Sequence, residues 1–265
     1  MPALYAHKIF GAKVYKELPD NIREIISEFK EEFLIGLHGP DVLFFHMPWK
    51  DGRVSKIGNR LHKRPFALLE RRAFKVLKYE KDDAALAYFI GNICHFVLDM
   101  SCHPLVDSAV SKTGMNHGKI EMELDRELMS ADGHEPLKYP SHAHLPVNRR
   151  TAEIASEFYK GVSSKEFFDG MLCMKATYAA LNTDSRKAKK VLCMIMDKAG
   201  LGNKVSSVAM SSDKSKIAED YVKIIAEKLD ASVEAAVNEI CDFTASVLSG
   251  DEKTTKLSKK NFMGK

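Results

Sequence analysis

Between Ala84 and Met100 the chain is apolar almost without interruption, and its polar breaks are Asn92, His95 and Asp99. Leu86, Tyr88, Phe89, Ile90, Ile93, Phe96, Val97 and Leu98 leave such a helix no polar face, and a helix apolar all round is buried at the centre of a bundle. Residues four apart stand one above the other on a helix. His95 and Asp99 therefore face the same way out of a segment too apolar to tolerate them. Burying an unpaired carboxylate costs several kcal/mol, whereas a divalent cation satisfies both side chains at once. The run is also too short and too polar to cross a bilayer.

The rest of the chain reads as helix around that segment. Strand alternation is scarce, while Ala, Leu, Glu, Lys and Met recur at helical spacing. The spacing predicts helices over 3–17, 20–34, 61–79, 82–102, 116–129, 148–159, 164–181, 185–198 and 213–248, the last broken near Asp230. Pro104 is expected to end the central helix. Turn residues make 36–56 and 131–146 irregular. The expected fold is all-α: a single-domain multi-helix bundle over 1–249 with a central buried helix, then a flexible polar tail over 250–265. A net charge of +4 lacks the dense basic stripe of a nucleic-acid binder. Five cysteines without a CxxC pair point to a reducing compartment. The first residues lack a basic flank and apolar block, so a cytoplasmic location is expected.

Further imidazole–carboxylate pairs follow the first. His103 lies four residues beyond Asp99, and His117 and Glu121 repeat the four-residue spacing on the next helix. Upstream stand His7, Asp41 in a Gly-Pro-Asp turn, and His62 at an expected helix start. A single such pair is commonly structural, His7 alone reads as a packed or surface histidine, and Asp41 alone as a turn former. Two pairs on consecutive helices, one inside a wholly apolar helix, favour a metal. Imidazole nitrogens with a few carboxylate oxygens suit zinc rather than calcium or magnesium, and Mn, Fe or Co accept the same donors.

Over 1–126 the chain resembles the bacterial zinc-dependent phospholipase C family, whose helical fold is shared with single-strand nucleases. The matching segments are Ala6-His-Lys-Ile-Phe10, Gly39-Pro-Asp41, Ile57-Gly-Asn-Arg-Leu-His62, His95-Phe-Val-Leu-Asp99, Cys102-His-Pro104 and His117-Gly-Lys-Ile-Glu121. The resemblance implies two or three zinc ions. Asp41, His62, His95 and Asp99 would hold one, His103, His117 and Glu121 a second, and His7 a third bridged by Asp99. Secreted relatives complete that third position with an N-terminal tryptophan, whereas the only tryptophan here is Trp49. Pro2 or His46 is the candidate replacement. The spacing from Asp99 to His103 is also tighter than in those enzymes.

The implied activity is phospholipase C-like hydrolysis of a phosphoester, with a phospholipid as candidate substrate and Asp41 both binding metal and orienting the attacking water. Glu123 and Asp125 either support the histidines or lie on an exposed helix face. Lys56, Arg60, Lys63, Arg64, Arg71 and Arg72 form a basic run near His62, and His134, His142 and His144 sit in a loop that can rim the site. Phe44, Phe45, Met47 and Trp49 offer an apolar rim, stacking surface or core; Phe45, Trp49 and Arg60 are the candidate substrate contacts. The alternatives are a nuclease or small-molecule phosphoesterase on the same fold, or a non-catalytic metal-binding helical protein.

Overall fold

A computed structural model describes residues 4–49, 52–80, 82–183 and 208–265, together with 185, 187, 190, 191 and 194. Among them are eleven α-helices and no strand. These are α1 (Leu4–Glu17), α2 (Asp20–Glu28), α3 (Lys30–Gly36), α4 (Arg53–Lys63), α5 (Ala67–Glu80) and α6 (Asp83–Thr113), followed by α7 (His117–Ala131), α8 (Arg149–Ser156), α9 (Ser164–Leu181), α10 (Glu219–Asp230) and α11 (Val233–Ser249). Single 3-10 turns occupy Gly39–Phe45 and Ser141–His144. The expected helix over 185–198 falls largely outside the described residues.

The central helix is α6. It packs against α1, α2, α3, α5, α7, α8, α10 and α11, and its most apolar window is 94% buried in protein, so it is a core helix although long and apolar enough to cross a membrane. The Asp82 carboxylate accepts from Ala84 N at 2.9 Å and starts the helix. Gly114, at φ 70°, ends it. Pro104 does not end the helix as expected; it lies inside. Its missing N–H leaves the Met100 carbonyl without the usual helical donor. Gly264 closes over that gap so tightly that a Cβ there would stand 2.7 Å from Met100 O.

Backbone contact sets the α3–α6 crossing. A Cβ on Gly91 would meet Phe33 O at 2.4 Å, and one on Gly36 would meet Tyr88 O at 2.2 Å. Only glycine permits that approach, which seats Leu37 and the following 3-10 turn on the face of α6 that carries His95. Two boundaries differ from expectation. Phe29 splits the helix expected over 20–34 into α2 and α3. Pro65 separates α4 from α5, so His62 ends a helix instead of starting one. The break near Asp230 falls as expected, between α10 and α11.

Residues 250–265 contain no helix, but their end is not loose. Phe66 N donates to Lys260 O and Ala67 N to Ser258 O at 2.8 and 2.7 Å, and Phe262 is 1% exposed. The lysine-rich composition conceals a single aromatic anchor that fills a gap among Phe66, Phe96 and His62.

Candidate metal centre

Four elements converge on one face of α6. From α6 itself come His95, Asp99 and His103, each one helical turn from the next. The 3-10 turn supplies Asp41, with Gly39 at φ 44° directly against α6, where a Cβ would stand 2.8 Å from Asn92 Oδ1. The last turn of α4 brings His62, α7 brings His117 and Glu121, and α1 brings His7. Ligand atoms of Asp41, His62, His95 and Asp99 all lie within 4.8 Å of one another, as do those of His103, His117 and Glu121.

Asp99 joins the groups. Its Oδ2 is 3.3 Å from His95 Nε2, while Oδ1 is 3.3 Å from His7 Nε2 and 3.8 Å from His103 Nε2. Asp41 Oδ1 lies 2.9 Å from His62 Nε2, and its Oδ2 lies 3.7 Å from His95 Nε2. Glu121 Oε1 is 3.1 Å from His117 Nε2 and 3.6 Å from His103 Nε2.

The outward nitrogens decide what these side chains are arranged for. His62 Nδ1 donates to Gly58 O at 2.8 Å, His95 Nδ1 to Leu37 O at 3.2 Å, and His103 Nδ1 to Phe262 O at 2.6 Å. A carbonyl only accepts, so the proton sits on Nδ1 and Nε2 turns its lone pair to the group. His117 places Nδ1 3.4 Å from Asp107 Oδ1. Metal-ligating histidines are oriented in this way. In the first group the consequence is two acceptors, His62 Nε2 and Asp41 Oδ1, facing each other at 2.9 Å. Both are buried without a well-formed hydrogen bond, as is His95 Nε2. A cation between them turns that repulsion into attraction, so the residues fit a metal.

The local electrostatics agree for the carboxylates and for His95. Burial opposes ionisation of Asp41, but the His95 and His62 imidazoles outweigh it and hold the carboxyl below its usual value. Asp99 is held well below by His103, His95 and His7 against the same opposing burial, and burial likewise opposes ionisation of Glu121, which His103 and His117 help to lower. Burial pushes His95 down to about 4 despite Asp99 and Asp41. For His103 burial also lowers the value, yet Asp99 and Glu121 prevail and raise it to about 9. The carboxylates are thus ionised, as a divalent metal requires, whereas His103 holds a proton on Nε2 that a metal has to displace.

Beside His7 lie two histidines that the spacing did not single out as ligands. His38 Nε2 is 2.8 Å from His144 Nε2, and the His38 ring centroid is 6.0 Å from that of His7. His144 Nδ1 donates to Ser141 O at 2.7 Å, so its Nε2 is again the lone-pair side. Burial pushes His38 well below the ordinary histidine value and His144 down to about 4. No helical period connects 38 with 144; only the fold does. Of the two replacements expected at the third position, Pro2 lies outside the described residues, and it is the His38–His144 pair that packs beside His7.

Other expectations divide. Glu123 and Asp125 are buried, not on an exposed face. Asp125 accepts from Tyr5 N at 3.0 Å and Ala6 N at 2.8 Å, anchoring the helix that bears His7. Phe45 is corrected from substrate contact to core: it is 4% exposed and packs on Tyr178. Phe44 lies against His62, with centroids 5.1 Å apart. Trp49 is 54% exposed, and Arg60 lines a basic cavity beside α4. Within the rim loop only His144 reaches the cluster; His134 stacks on Tyr139.

In comparison with known proteins, the family model described as zinc dependent phospholipase C aligns with residues 6–182, more than half of the chain. No curated protein and no solved structure matches.

Proposed function

The chain belongs to the zinc-dependent phospholipase C family, and from that membership we propose that it hydrolyses a phosphodiester, phospholipase C-like, at two or three zinc ions. His7, Asp41, His62, His95, Asp99, His103, His117 and Glu121 are the ligands. The observation that carries this reading is the common orientation of His62, His95 and His103: each spends Nδ1–H on a backbone carbonyl and presents Nε2 to a shared set of carboxylates.

Zinc at these positions supplies an acidified water and positive charge for the phosphate oxygens. Asp41, whose two oxygens already face His62 and His95, orients the attacking water and accepts its proton. Asp99 holds the groups in register through both of its oxygens. His103, His117 and Glu121 would give a zinc three protein donors, the number that catalytic zinc sites take. His7 would serve the third position, with the hydrogen-bonded His38–His144 pair packed beside it.

The test is zinc content together with hydrolysis of bis(p-nitrophenyl) phosphate, on protein purified without chelator. Two or three zinc ions per chain and turnover abolished by Asp99→Asn are expected. Zinc-free protein, or zinc-loaded protein inert toward phosphodiesters, would return the site to a structural or binding role.

A further inference from the structure

A cavity of about 990 Å³ lies along α4 and α5, with residues 158, 160, 161 and 262 closing it. Eight of its lining residues are lysine or arginine and none is acidic. Arg53 is compensated by Glu166 and Arg71 by Glu252. Among the described residues no ion pair involves Lys56, Arg60, Arg64, Lys75 or Lys160. Several uncompensated cations around one concavity repel one another, and an anion relieves all of them together. The floor has the opposite character. Leu68, 45% exposed, and the half-buried Leu61 and Val76 line it, over Phe66, Leu69, Phe158 and Phe262, which are almost wholly buried.

This cavity adjoins the metal group. Phe262 lines it while its ring centroid lies 4.8 Å from that of His62 and 5.5 Å from that of His95. One side chain therefore separates the cationic wall from the first group of ligands.

We propose that the cavity binds the anionic head group of a phospholipid presented at a membrane surface, which makes anionic rather than zwitterionic phospholipid the class delivered to the metal group. In that last step it rests on the phosphoesterase reading; the binding does not. Arginine and lysine surround the phosphate, and the apolar floor receives the glycerol and first acyl carbons. A free phosphate ester would leave that floor and Leu68 unused. A nucleic acid needs open aromatic faces for its bases, but Phe66 is stacked on Phe96 at 4.0 Å and is 1% exposed.

The test is co-sedimentation of the zinc-loaded full chain with vesicles of phosphatidylcholine alone and of equimolar phosphatidylcholine and phosphatidylglycerol. Binding to the mixed vesicles only is expected, weakening with salt. The combined variant Lys56→Ala, Arg64→Ala, Lys75→Ala should bind them roughly a hundredfold more weakly, with unchanged zinc content and melting temperature. Equal binding to both vesicles, or full binding by the variant, would overturn the proposal. Competition by soluble glycerophosphate as effective as by lipid would assign the cavity to a free ester and also overturn it. Hydrolysis is read separately. Selective, cavity-dependent vesicle binding without turnover of either lipid or bis(p-nitrophenyl) phosphate would sustain the binding site and sink the phosphoesterase reading instead.

Discussion

Asp125 bonds the backbone just ahead of His7 and so sets where that ligand points. Its carboxylate accepts Tyr5 N and Ala6 N, two of the donors that the first turn of a helix leaves unsatisfied. In Asp125→Asn one oxygen becomes an amide donor facing an N–H. The expected cost is about 1–3 kcal/mol in urea unfolding, accompanied by weaker zinc retention at the position of His7. Unchanged stability would mean that α1 is anchored elsewhere. Asp41 admits a sharper substitution. Asp41→Asn keeps an oxygen ligand but loses the base, so kcat should fall by about a hundredfold to ten-thousandfold with zinc content close to wild type. If zinc is lost in proportion to kcat, Asp41 is a ligand only.

At the scale of elements, the α3–α6 contact and the α5–α11 contact make different demands. Gly36 and Gly91 bring two backbones together with no room for a methyl group. Gly91→Ala must push α3 away, at about 1–3 kcal/mol. Because Leu37 O holds His95 Nδ1, zinc affinity should fall with stability; calorimetric melting with and without zinc checks both. On the other side, Glu70 of α5 is buried near Glu239 of α11, and burial raises its carboxyl from 4.5 to about 8, with Glu239 adding to the rise. A carboxyl raised on folding stabilises while neutral. That contribution is complete below about pH 4.5 and disappears as pH climbs through about 8. Glu70→Gln should therefore flatten the decline of the urea midpoint across this window. An unaltered slope would place the titrating group elsewhere.

Across the whole molecule, the two ligand groups, with His7 on Asp99, tie α1, α4, α6, α7 and the Gly39–Phe45 turn together. Chelation leaves Asp41, Asp99 and Glu121 facing one another's histidines without a shared cation, and should lower the melting temperature by roughly 10 °C; a shift below a degree would show that the bundle holds without metal. The features written in helical period were legible from sequence: His95–Asp99 and His117–Glu121 lie one turn apart, and the apolar run around them is the core helix. What escaped depends on chain reversal. His38 and His144 meet only because separate turns face each other, and the acceptor for His103 is a main-chain oxygen, which any residue type carries. Pro104 misled because its lost hydrogen bond is tolerated where another segment covers the exposed carbonyl. That covering segment also imposes a schedule. His103 obtains its orienting carbonyl from a residue 159 positions later, so while the ribosome is still extending the chain every ligand can be present and the second ligand group still unfinished. Metal uptake at that group should follow translation of residue 262 rather than accompany the emergence of its ligands.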